Sequence, residues 1–191
     1  MKLERPSCEL CLRPTRTCLC DLVQKVNSNI EVIIWQHPSE AGHPKGTAQL
    51  LYLCLPNSRL YVGEHYTASA LGVRSSECAL LYPEEEIQSG LKGCVERKST
   101  PTHQLLVLDG TWRKSRKLLY LNTWLADLPR VNLPSEQSEY RIRKAEQPNQ
   151  LSTFEAVQLG LKVLDPHARV GCLTTVFSAF VERYEKFIPT R

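Results

Sequence analysis

The sequence predicts a layered α/β domain preceded by a small metal-stapled segment, and three observations carry that prediction. Gln104 to Leu108 (QLLVL) is a short, largely apolar run closed by Asp-Gly, the pattern of a central parallel strand buried on both faces. Strand-like and helix-like stretches alternate along the chain on either side of it. Near the start, Cys8, Cys11, Cys18 and Cys20 crowd together as C-x2-C-x6-C-x-C. A chain of 191 residues can bury one full core with room for an appendage. The boundaries drawn are residues 1–25 for the knuckle and 26–191 for the main domain.

The elements follow in order. Met1 to Val23 holds four cysteines, two prolines and little that can form a core, so it is expected to need a metal to fold. Four thiolates satisfy tetrahedral Zn²⁺ at about 2.3 Å, which leaves no coordination position for chemistry. Cys18-x-Cys20 departs from the usual C-x2-C pair, so a three-cysteine site and a redox pair stay open beside the structural zinc. Cys54, Cys78, Cys94 and Cys172 stand singly, mostly beside apolar neighbours, and read as core fillers.

Asn29 to Gln36 (NIEVIIWQ) is β-branched and strand-like, and His37 to Gly46 is a breaker-rich loop. Thr47 to Leu55 reads as a helix stopped by Pro56, with short strands at Arg59 to Val62 and Ala79 to Tyr82. After Asp109, helical spacing runs through Trp112, Ser115, Leu119, Trp124 and Leu128 to Pro129. The polar stretch Pro134 to Asn149 is expected to be an ordered or substrate-ordered loop. Ser152-Thr-Phe-Glu155 is a capping box opening a helix to about Leu164. A last helix, His167 to about Phe187, sets Val170, Thr174, Phe177, Val181, Tyr184 and Phe187 on one side.

Composition removes several classes. With 42% hydrophobic and 23% charged residues the chain is neither disordered nor fibrous. Its apolar runs fall far short of the ~20 residues that span a bilayer, and its charged start leads into cysteines, so a cytoplasmic protein without a membrane is expected. No G-x-G-x-x-G, Walker A, H-E-x-x-H or G-x-S-x-G pattern occurs, which disfavours nicotinamide dehydrogenases, P-loop ATPases, zincins and serine hydrolases. The net charge of +4 is mild, but Arg97 to Lys144 holds ten basic residues against four acids. That clustering points to a polyanion-facing surface, with a solvated helix face as the plain alternative.

Asp109-Gly110-Thr111-Trp112 sits where a buried strand hands over to a helix, the place at which open α/β sheets bind ligands. Gly110 lets the backbone turn or a ligand approach, and Thr111 can cap a helix whose N-terminus attracts anions. Arg113, Lys114, Arg116 and Lys117 then occupy the first helical turns, where the macrodipole disfavours cations, as a phosphate partner would explain. Arg141, Arg143 and Lys144 extend that rim. His37, in Gln36-His-Pro-Ser-Glu40 after the first strand, can hold a substrate or a proton.

Taken in order, C-x2-C-x6-C-x-C, Gln36-His-Pro-x-Glu40, Asp109-Gly-Thr-Trp112, Leu128-Pro-Arg130, Tyr140-Arg-x-Arg143 and Leu151-Ser-Thr-x-Glu-Ala156 resemble the DTW-domain family of tRNA-uridine aminocarboxypropyltransferases over nearly the whole chain. The resemblance implies transfer of the 3-amino-3-carboxypropyl group of S-adenosylmethionine to N3 of a tRNA uridine in the variable loop, with release of methylthioadenosine. It also implies a SPOUT-like α/β sheet with a C-terminal trefoil knot, an exception to the usual absence of knots. By that resemblance Asp109 is the catalytic candidate, as a base towards N3 or as an anchor for the cofactor's ammonium group. Leu108, Gly110, Thr111, Trp112, Ser152, Thr153, Glu155 and His37 would line the cofactor. Arg113, Lys114, Arg116, Lys117, Arg141, Arg143 and Lys144 would meet tRNA phosphates. The knuckle and this rim are expected to hold tRNA, with the protein a monomer. An S-adenosylmethionine-dependent RNA methyltransferase of the same broad fold and a non-catalytic zinc RNA-binding module remain the alternatives.

Overall fold

The computed structural model describes residues 6–83, 101–131, 133, 138–140 and 151–186. Four parallel strands form one sheet in the order β2-β1-β4-β3, with β1 at Glu31–Gln36, β2 at Ser58–Val62, β3 at Cys78–Leu81 and β4 at Gln104–Asp109. Every residue of β4 and of β3 is buried, as continuous apolar runs in a covered parallel sheet require. The registers place Gln36 beside Asp109 at the ends of the two central strands.

Helices cover both faces because alternate strand residues point to opposite sides. Val32, Ile34, Leu105 and Val107 pack on one side against α1 (Ala48–Cys54), α3 (Thr153–Leu164) and α4 (Gly171–Glu185). Ile33, Trp35, Leu106 and Leu108 pack on the other against Leu118 and Leu119 of α2 (Trp112–Leu121) and against Leu125 and Leu128 beyond it. The result is a three-layer α/β/α arrangement.

The predicted elements differ from the observed ones in three places. The helix expected over Thr111 to Leu128 ends at Leu121, and a 3-10 turn takes Thr123–Asp127. Asn122 breaks it: its buried amide donates to the carbonyls of Leu118 (2.8 Å) and Glu64 (2.9 Å) and accepts from the Tyr66 N–H (3.2 Å). The last helix begins at Gly171 instead of His167, because Asp165 to Val170 is taken up by turns. Its inward face is Leu173, Val176, Phe177, Phe180 and Val181. Thr174, expected to face inward, is exposed and accepts a hydrogen bond from Gln158 (2.5 Å).

Asp165 closes α3 and carries a pH dependence. Its carboxylate accepts from the Asn29 N–H (2.8 Å) and the Ser28 hydroxyl (2.9 Å). The Asn29 N–H foremost holds the carboxyl below the ordinary carboxylate range. A depressed folded pKa contributes stability that is present above the unfolded pKa and is lost as pH falls through the folded one. Asp165→Asn is therefore expected to lower Tm by several degrees at neutral pH, with the difference from the parent shrinking on acidification in thermal melts.

Candidate active site at the carboxyl edge of the sheet

The chain leaves β1 through α1 to β2 on one side. It leaves β4 through α2 to Arg130, which bridges Leu80 of β3 on the other side. The carboxyl ends of β1 and β4 therefore flank a topological switch point, where open parallel sheets hold ligands because diverging connections leave a crevice.

Asp109 lies in this crevice, 7% exposed, with both carboxylate oxygens accepting hydrogen bonds. Gln36 Nε2 donates to Oδ2 at 2.8 Å, and the Thr153 hydroxyl at the start of α3 donates to Oδ1 at 2.5 Å. Three sequence blocks thus meet at one carboxylate. Gly110 keeps the next turn tight, since a Cβ there would lie 3.0 Å from Lys114 Cβ and 3.7 Å from His37 Cβ. Thr111 caps α2 by backbone conformation but makes no side-chain cap bond. The Thr111 side chain thus satisfies none of the first N–H groups of α2, which suit an anionic acceptor. Trp112 is half-buried with its ring edge-on to Tyr82 at 5.7 Å.

Around this centre the loops are braced by charge. His37 Nε2 lies 2.9 Å from Glu64 Oε1, while His37 Nδ1 accepts from the Ser39 N–H at 3.2 Å. Lys117 donates to the other Glu64 oxygen (2.7 Å) and holds that carboxyl below the usual carboxylate range. Lys114 pairs with Glu40 at 2.5 Å. Two of the four cations placed at the start of the helix therefore bind the loops after β1 and β2, which offsets their conflict with the macrodipole. Arg113 and Arg116 are exposed and form no ion pair among the described residues.

Ser152 and Glu155 make the reciprocal capping box that the sequence predicts, Ser152 Oγ accepting from the Glu155 N–H (3.2 Å) and Glu155 from the Ser152 N–H (2.7 Å). Glu155 also accepts from the Glu139 N–H (2.7 Å) and the Ser138 hydroxyl, which ties residues 138–140 to the start of α3. Leu108 points into the core beneath α2. Arg141, Arg143 and Lys144 lie outside the described residues. Sequence reasoning gave no role to Gln36, Glu40 or Glu64. Gln36 and Glu40 stood inside a motif, and Gln36 follows from pairing β1 with β4, but Glu64 carries no local signal.

The cysteine cluster is separate. All four thiols lie within 4.8 Å of one another, with Sγ–Sγ distances of 3.6 Å for Cys8–Cys20 and 3.7 Å for Cys11–Cys18. A tetrahedron with ~2.3 Å zinc–sulfur bonds has edges of about 3.8 Å, so the residues fit the ion. The N–H groups of Cys11 and Leu10 lower the Cys8 thiol to about 6, which makes it a thiolate at neutral pH. Burial and the neighbouring thiols push Cys20 up to about 12. Of the single cysteines, Cys54 and Cys78 are buried core residues and Cys172 is half-buried, while Cys94 lies outside the described residues.

A parallel sheet with a hydrogen-bonded carboxylate at its switch point, and a separate cluster of four thiols that could hold a metal, define the class as an α/β protein with an N-terminal cysteine cluster. The DTW domain matches residues 5–185, and the chain belongs to that family. It is 27% identical over 171 residues to tRNA-uridine aminocarboxypropyltransferase 2 of Macaca fascicularis, covering 84% of this chain and 57% of that protein. Identity is 29% to the Mus musculus protein of the same name, with the same coverage. It is 27% to tRNA-uridine aminocarboxypropyltransferase A of Arabidopsis thaliana, covering 85% of this chain and 74% of the relative. The chain thus spans little more than half the length of the two mammalian relatives. No solved structure matches it. No helix among the described residues is long and apolar enough to cross a membrane.

Proposed function

We propose that this chain transfers the 3-amino-3-carboxypropyl group of S-adenosylmethionine to N3 of a uridine in the tRNA variable loop, releasing methylthioadenosine. The observation that carries this reading is the meeting of Gln36, Asp109 and Thr153, from three blocks of the family pattern, at one buried carboxylate in the crevice. The family's aminocarboxypropyltransferase relatives supply the reaction class. The proposal includes a SPOUT-like fold with a C-terminal trefoil knot, a knuckle over 1–25 holding structural zinc, a catalytic domain over 26–191, and a cytoplasmic monomer.

The site's donors and acceptors suit the methionine end of the cofactor. Asp109 offers a carboxylate for its ammonium group, and the N–H groups at the start of α2, behind Thr111 and Gly110, offer partners for its carboxylate. Bound there, the cofactor supplies a sulfonium-activated γ-carbon as the electrophile. With both oxygens already accepting, Asp109 has a fixed orientation suited to anchoring a cation, and this favours the anchor role over the base. Trp112 contributes a ring wall, while Ser152 and Glu155 hold Thr153 in place by fixing the start of α3. His37 fixes Glu64, whose carboxylate stands at the rim. Leu108 supports the turn from within the core.

Exposed Arg113 and Arg116 are the residues of α2 assigned to tRNA phosphates, with Arg141, Arg143 and Lys144 as further members of the rim. Lys114 and Lys117 serve the crevice through Glu40 and Glu64. Joint replacement of Arg113 and Arg116 by Ala is expected to reduce the log–log salt slope of tRNA binding by about 0.7–0.9 for each phosphate no longer neutralised. Lys114→Ala is expected to lower turnover with little change in that slope. The reading as a whole is tested by incubating the protein with unmodified tRNA and S-adenosylmethionine and weighing the digested nucleosides. A uridine heavier by the aminocarboxypropyl group supports it. A methylated base moves the chain to the methyltransferases, and bound but unaltered tRNA moves it to the binding modules.

A further inference from the structure

Arg13 lies between the second and third cysteines of the cluster, and its side chain turns away from them into the body. It is 8% exposed. Its guanidinium donates to the carbonyl oxygens of Pro44 and Gly46 (2.7 Å to Gly46) and to the Tyr184 hydroxyl (2.6 Å). It also lies 5.5 Å from the ring centroids of both Phe180 and Tyr184. None of its partners among the described residues is a carboxylate. A cation buried against neutral acceptors contributes little net stability, because its desolvation offsets what those hydrogen bonds return. What such a group provides is geometry, since a planar fork fixes two carbonyls relative to one another.

Those carbonyls belong to a loop that begins at the crevice. From His37 onward the loop is a series of turns: Glu40 N–H to His37, His43 N–H to Glu40 and Gly46 N–H to His43, after which Leu51 N–H reaches Thr47 and α1 begins. Its first residues hold the site through the His37–Glu64 and Glu40–Lys114 pairs. Its far end is held by Arg13 at Pro44 and Gly46 and by the Tyr140 hydroxyl at Lys45. Tyr140 in turn follows the segment that Glu155 ties to α3. On the knuckle side, the Cys8 N–H donates to the Arg13 carbonyl (2.7 Å) and the Leu12 N–H to the Cys8 carbonyl (2.9 Å). The turn that aims Arg13 is thus the turn that a metal on Cys8 and Cys11 closes.

We propose that Arg13 is a positioning residue, coupling the metal-held knuckle to the loop 37–47 and through it to the mouth of the crevice. A metal that touches no substrate thereby sets the shape of the site. The activity part of the inference rests on the transfer reaction proposed above, while its structural part does not.

Arg13→Lys keeps the charge but cannot hold both carbonyls, and Arg13→Met keeps the stem against Phe180. The test measures bound zinc, amide hydrogen exchange and steady-state kinetics on the full chain. Both variants are expected to retain one zinc per chain. Exchange in peptides covering 41–47 is expected to rise about tenfold in each variant, with α3 unchanged there, and to rise at least as much in the parent protein once it is chelated. KM is expected to rise several-fold with kcat within about twofold. Wild-type protection of 41–47 in zinc-loaded Arg13→Lys, or in the chelated parent, would overturn the proposal. So would exchange that rises equally throughout α3 in the zinc-loaded variants, since that reports global loosening. If the exchange coupling appears and no transfer to tRNA occurs, the positioning role stands and the reaction assignment falls.

Discussion

Asp109→Asn is expected to lower aminocarboxypropyl transfer by at least about 100-fold, roughly the effect of taking one charged partner away from the reacting complex. The substitution keeps the size of the side chain and removes one of two acceptor oxygens. Gln36 and Thr153 both donate to this carboxylate, so an amide NH₂ keeps a partner only if the Thr153 hydroxyl turns to accept or Gln36 turns over. The crevice thus loses its negative charge and part of its hydrogen-bond order together. If Asp109 anchors the cofactor's ammonium group, cofactor binding weakens along with turnover. If it acts as the base, binding survives and turnover alone is lost. Calorimetric titration with S-adenosylmethionine beside the transfer assay separates the two, and transfer near the parent rate refutes both.

Removal of metal is expected to have the largest effect on stability. The knuckle buries Leu19 and Cys11, and Arg183 of α4 reaches both the Cys18 carbonyl (2.8 Å) and the Asp21 carboxylate (2.5 Å). Arg13 adds its bonds to Pro44, Gly46 and Tyr184, and Gln49 donates to the Leu10 carbonyl. Structural zinc contributes roughly 10–16 kcal/mol in small zinc modules at neutral pH, so chelation or Cys11→Ser is expected to unfold residues 6–23 and strip the cover from α4. Protons compete with the metal for thiolates, so affinity rises with pH. Cys8, held down to about 6 by the Cys11 and Leu10 N–H groups, favours the thiolate a metal binds, whereas Cys20, pushed up to about 12 by burial, favours the thiol. Zinc release is expected on acidification, with a Tm drop that follows it in parallel metal and thermal measurements. A chelated protein with unchanged Tm would remove the metal from the account of the fold.

Much of the frame was legible because it rests on local signals. The apolar run of β4 ends at Asp109 as its pattern required, and the Ser152–Glu155 capping box opens α3 at the expected residue. The break at Asn122 was hidden because the following 3-10 turn keeps Leu125 and Leu128 on the buried side, so helical spacing ran on past the true end. On α4 the inward position is Leu173, one residue before the Thr174 that the spacing predicts. The cations of α2 misled in a different way. Their unfavourable place on the helix is resolved for Lys114 and Lys117 by Glu40 and Glu64, which lie 74 and 53 residues away. No window along the sequence shows such pairs. Gln36 became visible as a site residue only with the parallel register that sets it beside Asp109.

The central claim is that the longer arm of the sulfonium, not its methyl group, reaches the RNA. It is tested most directly by offering the protein unmodified tRNA with S-adenosylmethionine labelled either in the aminocarboxypropyl chain or in the methyl group. The account predicts that the chain label enters a uridine while the methyl label leaves with methylthioadenosine. Methyl label in the RNA, with S-adenosylhomocysteine as the small product, would contradict it.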